Sequence, residues 1–188
     1  CTDEGTSTNV FEVCKSAKEM GGVVIAAHID EFASISNLSS LNVDSILTRE
    51  YLDAVQVRNT AVWKQFNQDK NKEKMSESLN ARYGQVGFDT ANRWKVTYNK
   101  AIASKLPVVT FSDNPAGEGD SKHGLYGIGK QYTWLKMDKN PNLESIRQAF
   151  LAHEDRVSDC ISNKTTRCKE PDLWIKSVNL SKATINPY

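Results

Sequence analysis

Between Ser7 and Met20 the apolar residues Val10, Val13, Cys14 and Ala17 recur at helical spacing, which predicts a helix with Ser7 and Thr8 as candidate caps and Gly21-Gly22 as its stop. The run VVIAA, residues 23–27, follows without any polar alternation, as expected of a strand covered on both faces. A helix delivered into such a strand is the pattern of a parallel sheet. The pattern returns twice. A short helix around Ser45 to Tyr51 leads into the strand DAVQVR, Asp53 to Arg58, and a helix capped by Asp89, with Ala91, Trp94, Tyr98 and Ile102 on one face, leads into a third strand from Val108 to Phe111. Gln131 to Met137 predicts a fourth strand, with Tyr132, Trp134 and Leu135 packing, and Asn142 to His153 a closing helix with Leu143, Ile146, Ala149 and Phe150 inward.

Two stretches break this rhythm. Ala61 to Tyr83 is rich in Lys, Gln, Asn and Glu and offers mainly Val62, Phe66 and Leu79 to a core, so residues 61–88 are expected to form a surface insertion. From about Ser158 the chain turns to SDCISNKTTRCKEPD, a polar linker, and then to LWIKSVNLSKATINPY, a lone strand pair. So short a tail cannot build a core of its own. The expected division is therefore a main body over 1–158 and an appendage over 159–188 that packs on it or begins a following domain. Helix-then-strand order points to an α/β layered or barrel architecture rather than an all-α or all-β one.

Composition narrows the function classes. With 24 basic and 23 acidic residues among 188, the net charge of +1 makes no global case for a nucleic-acid partner. No apolar run approaches the length that spans a bilayer, so the expected setting is the cytoplasm without membrane contact. Cys1, Cys14, Cys160 and Cys168 are too scattered for a zinc ribbon and too few for a disulfide scaffold. They are expected as free thiols, with Cys160 and Cys168 a weak candidate pair. The polar opening CTDEGTST, without an initiator methionine, suggests a piece of something longer.

In parallel α/β folds the working residues gather at the carboxyl ends of the strands. His28, directly after VVIAA, and Asp113, two residues after Phe111, fall there. An imidazole and a carboxylate converging on one sheet end suit zinc, manganese or iron. Equally, His28 is a hydrogen-bonded strand-end residue and Asp113 a turn former. Asp30, Glu31 and Asp53 lie near strand ends too, and are expected as solvated or capping carboxylates. Lys70, Lys72 and Lys74 are interrupted by acidic neighbours and read as a solvated helix face, with a phosphate-contacting module as the lesser reading. Trp63, Trp94, Trp134 and Trp174 are expected to pack.

These residues carry a resemblance. GGVVIAAHID looks like the segment of the polymerase and histidinol phosphatase (PHP) family in which a Gly-Gly turn, an apolar strand and Ala-His present a metal ligand, and TFSDNP falls where that family usually has Ser-Asp-x-His. YGIGKQYTWLKMDKNPNLESIRQAF, residues 126–150, is similar to the PHP module fused to a nucleotide-binding domain in TrlF-like ATPases. The resemblance implies the C-terminal half of a seven-stranded (β/α) barrel with parallel strands, completed by an upstream half and followed by an ATPase domain. It also implies phosphoester or nucleic-acid substrates hydrolysed by metal-activated water, with zinc, manganese or iron as cofactor and His28 and Asp113 as ligands. Pro115 stands where the family has its last histidine and cannot coordinate through a side chain. His123, helped by Glu118 or Asp120, is the candidate replacement. Two or three ligands fall short of a catalytic cluster, so the chain alone is expected to bind little metal and to be inactive. The alternative is a degenerate PHP domain serving as a structural or regulatory module of an ATPase that works on nucleic acid.

Overall fold

The computed structural model describes residues 9–66, 72–112 and 131–159. Helix α1, Val10–Glu19, is capped by Asn9, whose side chain accepts the Phe11 N–H. It stops where Gly21 takes φ +82°, letting the Gly21 and Gly22 amides fold back on the carbonyls of Lys18 and Ala17. A side chain at Gly22 would stand 2.8 Å from the Ala17 carbonyl oxygen. The predicted inward face is only partly inward: Cys14 is buried, whereas Val10 and Val13 face solvent.

Strands β1 (Ile25–Ala26), β2 (Ala54–Gln56) and β3 (Val108–Val109) form a parallel sheet in the order β1-β2-β3. Ile25 pairs with Ala54, and Val55 with Val108. β2, flanked on both sides, is fully buried, while β1 at the edge is half-buried rather than covered on both faces as the run VVIAA predicted. After β1 come a 3-10 turn, Ile35–Asn37, and helix α2, Ser40–Ile46, whose chain reaches β2 through Arg49 and Asp53. α3 (Thr60–Gln65) and α4 (Lys72–Tyr83) precede the long helix α5, Phe88–Ala103.

One sheet face packs against α1 to α5 through Val55, Val57, Ile46, Trp63, Leu79 and Trp94. Residues 61–88, expected on the surface, instead supply Trp63, Phe66, Met75, Leu79 and Val86 to this core. The few apolar positions in that polar stretch are the ones turned inward. On α5, Ala91, Trp94 and Ala101 are buried, but Ile102 is exposed; Gly87 rather than Asp89 sits at the cap, with Asp89 in the first turn, where it complements the helix dipole.

The opposite face is covered by α6, Leu143–Leu151, and by a second, two-stranded sheet. α6 opens with a capping box between Asn142 and Ser145, and it buries Ala149 and Phe150, the latter against Ala54 and Val109. Leu143 stays exposed. The fourth predicted strand exists as β4, Thr133–Leu135, but it does not extend the parallel sheet. It pairs antiparallel with β5, Val157–Asp159, which follows the short helix α7, His153–Arg156. The junction with β3 is made by Thr133 Oγ1, which accepts the Thr110 N–H at 2.7 Å and donates to the Thr110 carbonyl at 2.9 Å. A side chain there occupies the groups that a further parallel strand would use. The boundary expected near Ser158 falls inside β5. The protein is thus a mixed α/β fold, and among the described residues the strands form no closed barrel. No helix of the described residues is long and apolar enough to cross a membrane.

Candidate functional site

Because β1, β2 and β3 run parallel, their carboxyl ends share one rim, and the segments leaving them meet there. His28 and Asp30 leave β1, Arg58 and Asn59 leave β2, and Thr110 to Ser112 leave β3.

His28 has φ +30°, a left-handed backbone that a residue with a Cβ adopts at a cost. Lys105 is the other non-glycine residue with positive φ among the described ones, and there the cause is local: the Lys105 and Leu106 amides bond back to Ile102 and Ala101, closing the end of α5. No helix ends at His28. Its amide donates to Gln56 Oε1 at 3.3 Å, and the next amide, of Ile29, donates to the Gln56 carbonyl at 3.0 Å. The imidazole is partly buried, and its Nδ1 has no hydrogen-bond partner. Thr60 Oγ1, past β2, and Thr110 Oγ1, past β3, are likewise buried without a partner. Each of these desolvated atoms costs stability, as do the buried Thr48 Oγ1, Ser76 Oγ and Trp94 Nε1 elsewhere in the fold; His28 differs from them in its strained backbone.

Asp30, expected as a solvated or capping carboxylate, is not solvated but caps backbone amides from across the rim. It is completely buried, and its two oxygens accept from the amides of Arg58 and Asn59 and from the Trp63 indole, each at 2.8 Å. Asn59 Nδ2 returns a bond to the Asp30 carbonyl at 2.9 Å. Burial pushes the Asp30 carboxyl above its ordinary range, and these donors oppose the shift. Glu31 is also engaged: it accepts from the Tyr83 hydroxyl at 2.7 Å and lies 3.3 Å from Arg58 Nε. Burial raises the Tyr83 phenol far above its usual value, so it stays a donor. Phe32 caps this corner edge-to-face on Trp94, at 5.0 Å between ring centres.

The opposite rim is built differently. Asp53, expected to be solvated or capping, is a cap: it accepts the Val24 N–H at 2.7 Å and pairs with Lys18 at 3.1 Å. Arg49 donates to the carbonyls of Lys105 and Phe150, each at 3.0 Å, and approaches His153 Nδ1 at 3.4 Å. Around them opens a shallow cavity of about 470 Å³ lined also by Ser104, Leu151, Glu154 and Asp155.

Of the proposed ligands only His28 lies within the described residues. Asp113, Pro115, Glu118, Asp120 and His123 lie outside them, as do Lys70, Cys160, Cys168 and Trp174. Ser112, which precedes Asp113, is on the same rim as His28 and donates its N–H to the Gln131 carbonyl at 2.8 Å. Among the described residues no three His, Cys, Asp or Glu side chains converge as a metal site would require. Sequence reasoning passed over Gln56 and Arg58. The signal was present in DAVQVR, where a polar and a charged residue occupy a strand that the pattern itself marks as buried. No family model, no curated protein and no solved structure matches the chain.

Proposed function

We propose that the chain is part of a PHP-type metal-dependent phosphoesterase of the TrlF-like kind, a section of a distorted seven-stranded barrel that an upstream half completes and an ATPase domain follows. The observation that carries this reading is His28: a left-handed backbone and a desolvated, unpartnered Nδ1 at the carboxyl end of a parallel strand. Strain and an unmet hydrogen bond coinciding at a strand end are what a ligand-binding histidine would show before its ligand is bound.

In this reading His28 and Asp113 hold a divalent zinc, manganese or iron ion, with His123 the further candidate. The bound ion would lower the pKa of water for attack on a phosphoester. His28 contributes its imidazole, with the backbone that carries it held at the rim by the Gln56 contacts. Asp30 and Glu31 are occupied by amide, indole, phenol and guanidinium donors, so their role is to brace the segment leaving β1 against the one leaving β2. Phosphoester or nucleic-acid substrates and a cytoplasmic setting complete the proposal.

The test is metal content and phosphodiester hydrolysis by the intact parent polypeptide with manganese or zinc, beside His28→Ala and Asp113→Ala. Loss of a ligand is expected to lower turnover by at least about 100-fold, on the scale of removing a group that stabilises developing charge. Undiminished turnover in both variants would remove them from the mechanism. The second reading, a non-catalytic PHP module that supports the ATPase, is favoured by Pro115 in the last ligand position, and metal-dependent turnover by the parent polypeptide would overturn it.

A further inference from the structure

Gln56 is the last residue of the central strand, and it is almost wholly buried, 8% exposed, behind Ala54 and Val55 in the strand and ahead of the equally buried Val57. A buried amide there is costly unless it holds something. What it holds is the backbone on either side of the His28 Cα. The peptide plane before that Cα carries the His28 N–H, which the Gln56 side chain accepts. The plane after it carries the Ile29 N–H, which the Gln56 carbonyl accepts. The angle between two successive peptide planes is the φ/ψ pair of the residue between them. One residue therefore grips both planes and fixes the dihedrals of His28, and these direct its Cβ and ring.

We propose that Gln56 is the positioning residue for His28: its side-chain oxygen and main-chain carbonyl together lock His28 in the left-handed conformation that points the imidazole into the carboxyl-end rim. The inference deepens the proposed metal-ligand role of His28 and rests on it for its functional meaning. The conformational part stands on the hydrogen bonds alone. Without the side-chain bond the first plane is free to rotate, the strain at φ +30° is released, and His28 relaxes to an ordinary extended backbone that swings its ring away.

The experiment follows the histidine ring nitrogens by long-range proton–nitrogen NMR in the full chain, with His28→Asn used to assign His28. Gln56→Leu keeps bulk and the carbonyl contact while deleting the side-chain acceptor. Gln56→Asn, one methylene too short to reach, deletes it while keeping polarity, and serves if the leucine variant does not fold. In both, the His28 ring signals are expected to shift or broaden while those of His153, on the opposite rim, stay in place. Unchanged His28 signals, or equal movement of His153, would overturn the proposal. Titration of the intact parent polypeptide with zinc alone separates the two layers, since the chain by itself is expected to bind little metal. In the wild type zinc is expected to move the His28 signals, and in the Gln56 variants the apparent affinity is expected to fall about tenfold, the lower end for loss of a ligand-orienting contact. Zinc that leaves the wild-type His28 ring untouched defeats the metal reading, while a ring that still responds to Gln56→Leu upholds the positioning role.

Discussion

The two rims of the parallel sheet are made from similar residues and treat them in opposite ways. On the amino-end rim, Asp53, Lys18, Arg49 and His153 hold one another and the carbonyls of Lys105 and Phe150, and the positive φ of Lys105 is the ordinary end of a helix. On the carboxyl-end rim, a network just as dense, of Asp30, Glu31, Arg58, Asn59 and Tyr83, surrounds a residue left strained and unsatisfied. Each rim leaves a buried hydroxyl unpaired, Thr48 Oγ1 before β2 and Thr60 Oγ1 and Thr110 Oγ1 past β2 and β3, but among the described residues the carboxyl-end rim alone joins an unpaired buried side-chain atom to a strained backbone, at His28. Local disagreement with an otherwise consistent fold marks where binding competes with stability.

The largest effect should come from breaking the bracing on the carboxyl-end rim. Asp30→Ala strands two backbone amides and the Trp63 indole in the interior, and at about 1–3 kcal/mol for each orphaned donor the loss is expected to be at least about 3 kcal/mol. Asp53→Ala on the other rim removes a part-exposed cap and ion pair, worth about 1 kcal/mol. Urea unfolding of both variants measures the contrast. Equal costs would erase the distinction between a buried clamp and a surface cap.

Next in size is a change of opposite sign. His28→Gly removes the strain and the orphaned nitrogen together and is expected to raise stability by about 1 kcal/mol while abolishing any activity that His28 supports. The neighbouring Ala27→Gly, where no such strain exists, should lower stability by about 0.5–1 kcal/mol through chain entropy alone. A stabilising glycine at one position beside a destabilising one at the next, read from urea midpoints, would locate the strain at His28. A loss at both positions would take strain out of the case for a binding role.

The parallel sheet and its helices were legible in sequence because VVIAA, DAVQVR and PVVTF are short β-branched runs set between helical patterns, and each became a strand. His28 was legible because the strand before it fixes its place. The clamp was not. Asp30 has the local surroundings of any turn-forming carboxylate, and its burial depends on amides that lie 28 and 29 residues further on. β5 was missed because VSD carries no strand pattern; its partner is β4, which Thr133 joins to the segment leaving β3. Exposed Val13 and Ile102 mark the reverse failure, since helical spacing identifies a face without saying whether anything covers it.

The smallest expected effect probes the amino-end rim by pH. His153 faces Arg49 across its Nδ1, with Lys105, Glu154 and Asp155 around the same cavity, and burial followed by the Arg49 charge holds its pKa below the ordinary histidine value of 6.5. A depressed pKa means that the unfolded chain takes up its proton first. The stability this site contributes is therefore complete above pH 6.5 and is lost as pH falls from there through the lower folded value. His153→Asn offers Arg49 a side-chain oxygen that does not titrate in this window, so its urea midpoint should fall less between pH 7 and pH 5 than that of the wild type. The difference should be modest, because a protonated His153 gives up one contact while Arg49 keeps the Lys105 and Phe150 carbonyls. Identical pH profiles for the two proteins would mean that the Arg49–His153 contact adds nothing to this rim, leaving its rigidity to the guanidinium–carbonyl bonds alone.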